Sequence, residues 1–289
     1  MAKKKKNSFS YIKLFFEIVL IIGLIFAYGF FVEPKLITFH EFKITNENIT
    51  DNFQGLKIVH ISDIHYGTIY DEKQMEKLVE SINKQKPDIV VLTGDLIDKK
   101  TKMTIELADK ISNQLKNISS EVGKYAINGN DDLKFDEWSN IITNGGFKNL
   151  NNTYDTIYKN GYNSMLISGV SSASDKQDIN DKLKTTMDYI NSFEKDGPIY
   201  NILLIHEPDY IDDIADNKFN LILAGHSHGG QIKIPFNSFT VPKGAKKYYD
   251  SYYKVNNSEL YVSNGLGVTD YNFRLFNTPS YNIYKFAKK

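Results

Sequence analysis

Cysteine is absent from this 289-residue chain. That excludes disulfide frameworks and thiolate metal sites, and leaves histidine, carboxylate and amide side chains as the available ligands. Net charge is absent as well, because Lys plus Arg and Asp plus Glu each total 35. A chain without basic excess lacks the electrostatic footprint of a nucleic-acid binder, so no nucleic-acid partner is expected. No low-complexity tract or internal repeat interrupts the sequence, and its 41% hydrophobic content suffices for one large core.

Charge is scarce in one further place. Lys3 to Lys6 and Lys13 precede an apolar run over 14–32 in which Glu17 is the one charged residue. Some 19 apolar residues span a bilayer core as a helix, and Lys13 can pair with Glu17 one turn later, near the headgroups. The basic cluster ahead of the run, against Lys35 alone close behind it, places residues 1–13 in the cytoplasm. The expectation is a single-pass cell-membrane protein with an anchor at 14–32 and an extracytoplasmic domain at 36–289. A cleaved signal peptide is the rival, but Phe30, Phe31 and Val32 are poor neighbours for a cleavage site, which favours an uncleaved anchor.

Beyond Pro34, apolar runs alternate with amphipathic stretches. Strands are expected at 36–44, 89–93, 124–127, 155–158, 164–170, 202–205, 221–224, 259–262 and 280–286, and helices at 71–84, 104–115 and 178–193. Five apolar runs end in residues able to bind a metal. IVHISDIHYG carries Asp63 and His65, LTGDLID carries Asp95, and INGNDD carries Asn130. LLIHEPD carries His206, and LILAGHSHGG carries His226 and His228. Such strand ends are where open α/β sheets gather their chemistry. Each residue alone has a plainer explanation. Asp63 and Asp95 would serve as helix caps, Asn130 as a left-handed turn residue, His206 as a core histidine. Seven independent plain explanations weigh less than one shared one, a two-metal hydrolytic site. His40 and His60 fall outside the motifs, and His60 alternates with the ligand strand as a packing position.

The residues and their order resemble the calcineurin-like metallophosphoesterase family. The longer GHSHGGQI form and the segment Gly265 to Gly267 followed by Arg274 resemble its membrane-associated phosphodiesterase branch. The resemblance implies a four-layer α/β/β/α sandwich behind the transmembrane helix, and two divalent ions, Mn, Fe or Zn. It implies that Asp63, His65 and His228 hold one ion, that Asp95 bridges, and that Asn130, His206 and His226 hold the other. A metal-activated water would hydrolyse a phosphate ester, with Asn130, His226 and Asp131 as catalytic residues and Arg274 as a clamp on substrate phosphate. Asp131 stands where the family most often has a histidine that protonates the leaving oxygen. It would act as that acid with a raised pKa, be replaced by Asp132, or go unneeded on acidic leaving groups. The favoured activity is hydrolysis of phosphodiester or pyrophosphate bonds in envelope or lipid-linked molecules. The alternatives are a phosphomonoesterase or nucleotidase, and a catalytically silent metal-bound interaction module.

Overall fold

Val59 and Ile61 point to one side of their strand and Ile58 and His60 to the other, and this alternation sorts the chain into layers. The computed structural model describes residues 4–192, 199–234, 237–238 and 241–289. Residues 1–3 of the basic N-terminus and Phe193, at the expected end of a helix, lie outside the described residues.

In chain order the elements are α1 (Lys4–Phe31), β1 (Thr38–Asn46), β2 (Lys57–Ile61), α2 (Glu72–Lys84), β3 (Ile89–Thr93), α3 (Ile105–Lys116) and β4 (Gly123–Ile127). There follow α4 (Trp138–Asn144), β5 (Lys148–Asn149), β6 (Thr153–Tyr158), β7 (Ser164–Gly169), α5 (Ile179–Ser192), β8 (Tyr200–Leu204) and β9 (Leu221–Ala224). The chain closes with β10 (Lys233–Ile234), β11 (Asn237–Ser238), β12 (Tyr252–Val255), β13 (Ser258–Val262) and β14 (Ser280–Lys288). One sheet has the order β1-β14-β2-β3-β4-β5 and the other β12-β13-β9-β8-β7-β6. Within them β2, β3 and β4 run parallel, as do β7, β8, β9 and β13.

Three apolar clusters make this the expected four-layer α/β/β/α sandwich. The outer cluster packs Met75, Leu78 and Ile82 of α2, Ile111 and Leu115 of α3, and Trp138 and Ile141 of α4 on Val59, Val90 and Leu92. The middle cluster joins the sheets through Ile58, Ile89, Val91 and Ile127 on one and Ile167, Ile202, Leu204 and Leu223 on the other. The third covers the second sheet with Ile179, Leu183 and Ile190 of α5. Two helices start where a cap is available. Asp71 accepts from Gln74 N at 2.9 Å before α2, and Thr104 Oγ1 accepts from Leu107 N at 3.2 Å before α3.

The seven-residue α4 and the two-residue strands are too short to show a period, so the sequence pattern does not announce them. Helix α1 starts ten residues ahead of the expected anchor, and of residues 11–32 only Gly29 is buried. It is long and apolar enough to cross a membrane.

His60 faces the middle layer, 2.8 Å from Thr93 Oγ1 and 3.2 Å from the Tyr284 hydroxyl. Burial pushes its pKa down to about 3 from 6.5. Between these values the unfolded chain binds the extra proton, so stability falls as pH drops through the window and is fully present above 6.5. The expected slope from this residue is about 1.4 kcal/mol per pH unit. Chemical denaturation of the wild type and His60→Gln at pH 4 to 7 should show the slope reduced in the variant.

Candidate metal centre

Strands β2, β3 and β4 of the first sheet and β8 and β9 of the second all stop short of a ligand candidate. Asp63 and His65 follow β2, Asp95 follows β3, Asn130 follows β4, His206 follows β8, and His226 and His228 follow β9. Asp63, His65, Asp95, His226 and His228 all have φ between 48° and 65°. A non-glycine residue held there costs about 1–3 kcal/mol, and such strain gathers at functional sites. Hydrogen bonds across the strand ends hold it, among them Asp63 N to Gly94 O and His65 N to Asp95 O, both 3.0 Å.

These turns bring the side chains into two trios. Ligand atoms of Asp63, His65 and His228 lie within 4.8 Å of one another, and so do those of Asp95, His206 and His226. Asp95 Oδ2 lies 3.3 Å from His206 Nε2 and 3.6 Å from His65 Nε2, so it faces both trios. Asn130 Oδ1 lies 3.2 Å from His206 Nε2 and joins the second.

The ring partners fix the protonation of that second group. His206 Nδ1 lies 2.7 Å from Thr93 O and His226 Nε2 lies 2.9 Å from Lys243 O. Carbonyls only accept, so these nitrogens carry the protons, and in a neutral ring the other nitrogen offers a lone pair. Those lone pairs, His206 Nε2 and His226 Nδ1, face each other at 3.2 Å beside Asn130 Oδ1 and Asp95 Oδ2. With these four groups converging, a cation must sit among them, either a metal ion or, in its absence, the proton that Asp95 draws onto His206 Nε2. The first trio differs, because the Arg274 guanidinium donates to His228 Nδ1 at 3.2 Å and a neutral His228 then carries its proton on Nε2, toward His65. His65 Nε2 and His228 Nε2 are 3.1 Å apart, and His65 Nδ1 has no hydrogen-bond partner, with Asp131 Oδ2 at 3.5 Å and Asp98 Oδ2 at 3.7 Å.

Electrostatics follow the same division. Burial would raise the Asp95 carboxyl, but His206 and His65 hold it far below the usual range. Burial opposes charge on His206 as well, and Asp95 overrides it and raises that pKa. His228 is pushed the other way, lowered by burial and then by His65 and Arg274, and stays neutral. Burial leads in raising the Asp63 carboxyl.

Residues 56–230 match the calcineurin-like phosphoesterase family. The chain belongs to it. This family of phosphoesterases depends on a dinuclear metal centre, and the two trios are candidate ligand clusters for such a pair. Across 264 residues the chain is 30% identical to the metallophosphoesterase YkuE of Bacillus subtilis, covering 90% of this chain and 88% of that one. It is 25% identical over 217 residues to a transmembrane protein with metallophosphoesterase domain from Danio rerio, covering 69% of this chain and 45% of the relative. A solved dimetal phosphatase from Danio rerio is similar at 12% identity and a TM-score of 0.42, covering 74% of this chain and 88% of that one.

Two of the expected site residues sit differently from the phosphoesterase pattern read in the sequence. Arg274 is not placed as a phosphate clamp. Its guanidinium is fully buried and donates to the carbonyls of Asn264, Gly265, Gly267 and Asn277, with Nη2 3.2 Å from His228 Nδ1. It braces the loop behind His228 and presents no N–H to the cleft. Asp131 is held as an acceptor. Its Oδ1 accepts from Asn130 Nδ2 at 2.8 Å and its Oδ2 from Lys99 N at 3.1 Å, while its own N–H donates to Asp95 Oδ1 at 2.8 Å. Asp132, unlike Asp131, does not line the cleft; it accepts from Ile97 N and Gly129 N, and burial pushes its pKa up to about 7.

A cleft of about 280 Å³ opens over the site, lined by Asp95, Asn130, Asp131, His226 and His228 together with Lys99, Thr269 and Asp270. Lys99, 3.5 Å from Asp270, supplies a cation at its wall. Sequence reasoning passed over Lys99 and Asp98, although both follow LTGDLI directly.

Gly94 shows how little room the centre leaves. Its φ is +91°, and a Cβ there would lie 2.5 Å from Gly129 N and 2.6 Å from His206 Nδ1. Gly94→Ala is expected to cost at least about 1–2 kcal/mol for the left-handed backbone alone. Pushing His206 aside should also weaken metal binding, read by thermal denaturation and by titration with manganese.

Proposed function

We propose that this phosphoesterase is anchored in the cell membrane by α1 and hydrolyses pyrophosphate or phosphodiester bonds in envelope or lipid-linked molecules. Its N-terminus is cytoplasmic and its catalytic domain extracytoplasmic. The observation that carries the bond preference is the engagement of Asp131. A carboxylate occupied by Asn130 Nδ2 and Lys99 N is an acceptor, not a proton donor to a leaving oxygen. The imidazoles lining the cleft, His226 and His228, belong to the ligand trios. Leaving groups that depart without a proton, such as phosphates and activated alcohols, are therefore favoured.

Two divalent ions, of manganese, iron or zinc, would polarise the phosphoryl oxygen and lower the pKa of the attacking water. The chain's own residues do the rest. Asp95 faces both trios, Asn130 turns its carbonyl to the second because Asp131 holds its amide N–H, and Lys99 offers charge to a substrate phosphate. In this assignment Asp131 positions Asn130. Asp131→Ala should lower metal affinity by about 10–100-fold, as loss of an outer partner commonly does. Manganese titration checks it.

The function is tested on the metal-stripped full chain resupplied with manganese. Hydrolysis of bis-(p-nitrophenyl) phosphate and of a pyrophosphate diester should exceed that of p-nitrophenyl phosphate. Preference for the monoester would replace this reading with a phosphomonoesterase or nucleotidase. Bound metal with silence on all three would leave an interaction module.

A further inference from the structure

Helix and site share one edge of the first sheet. Strand β1 begins at Thr38 and pairs it with Ser280, the first residue of β14. Strand β14 runs antiparallel to β2 and pairs Asn282 with His60, three residues before Asp63. The point where the chain leaves α1 therefore lies at the edge where β2, β3 and β4 deliver their ligands. The opposite edge carries Lys288, the last residue of β14, beside Asn52 and Tyr162.

No loose tether separates α1 from that edge. Gly29 O accepts from Arg274 N at 3.1 Å, and a Cβ on Gly29 would collide with the Phe273 ring. Phe273 stands 4.5 Å from the Phe30 ring and 5.9 Å from that of Phe26. Just past the helix, buried Glu33 accepts from Phe276 N at 3.0 Å and Asn277 N at 2.7 Å. The segment so held begins at the cleft, because Thr269 and Asp270 line it. It bares two aromatic rings, Tyr271 at 72% and Phe276 at 61% exposure.

We infer that the ligand-bearing edge faces the bilayer that α1 enters, with Tyr271 and Phe276 seated among the lipid headgroups. The cleft then receives the phosphate headgroup of an amphiphile held in that bilayer. This rests on the reading of α1 as a membrane span. A helix exposed from Tyr11 to Tyr28 and docked only at its last turns fixes the domain's distance from the membrane, and its end is where the interface lies. Aromatic rings are stabilised at that depth, and exposed Lys35 suits the phosphates there.

The absence of cysteine makes the test direct. Full-length Ile21→Cys, Tyr271→Cys, Phe276→Cys and Tyr162→Cys variants, each at an exposed position, are labelled with an environment-sensitive fluorophore in phosphatidylcholine–phosphatidylglycerol vesicles. Blue-shifted emission and quenching by lipid-borne nitroxides are expected at 21, 271 and 276, and neither at 162. Lipid contact at 21 with water at 271 and 276 would overturn the inference and leave the anchor standing. Water at 21 would overturn the anchor and the inference together.

Discussion

Replacing Asp95 by asparagine is expected to abolish turnover while leaving the protein folded. Its Oδ2 is the atom that faces both trios, 3.3 Å from His206 Nε2 and 3.6 Å from His65 Nε2. In the variant an amide takes that place, with one neutral oxygen where two charged ones stood. If Nδ2 occupies the position of Oδ2, two donors point at nitrogens whose lone pairs a cation needs. The loss should exceed the roughly 10–100-fold that removal of an outer partner costs. Folding has less to lose. Asparagine keeps an acceptor for Asp131 N, now bonded at 2.8 Å, and its N–H groups can meet the His206 Nε2 lone pair once that ring, no longer charged by Asp95, is neutral. Metal-free Asp95→Asn should therefore stay folded, melting cooperatively at a temperature lowered by the lost pairing with His206, while the stabilisation that manganese confers through binding should shrink. Turnover retained in Asp95→Asn would sink the two-metal assignment.

Legibility followed the range of the interactions. Asp63, His65, Asp95, Asn130, His206, His226 and His228 could be read because each follows its own apolar strand within a few residues, so the signal is local. Their partition into trios was carried by resemblance alone, since it depends on how two sheets face each other. Arg274 was misread for the same reason. An arginine in a glycine-rich segment looks like an anion site, and only packing shows its N–H groups consumed by four carbonyls. The partners of Asp131 were equally hidden, because Lys99 N lies 32 residues away along the chain. The helix boundary was obscured by hydropathy itself. Gly29 and Glu33 fall at the expected anchor's end, yet both pack against residues some 240 positions later.

That last contact carries the second large effect. Glu33→Ala should destabilise the protein by about 3–6 kcal/mol, since it removes two charge-assisted hydrogen bonds worth about 1.5–3 kcal/mol each. Phe276 N and Asn277 N would lose their acceptor, and Asn277 N is bonded at 2.7 Å in a buried setting. The consequence does not stop at the helix. Asn277 Nδ2 donates to His228 O, Asn277 O accepts from Arg274 Nη1 at 3.1 Å, and Arg274 Nη2 reaches His228 Nδ1 at 3.2 Å. A loosened Asn277 therefore frees His228 from behind, and the first trio should bind metal more weakly than the second. Thermal denaturation reads the first effect, and manganese titration with two resolvable sites reads the other. A chain cut to begin at Leu36 lacks Glu33 and Gly29 both, and should show the same selective weakening. Equal affinity at both sites in Glu33→Ala would mean that Glu33 ties the domain to the helix without bearing on the metal centre.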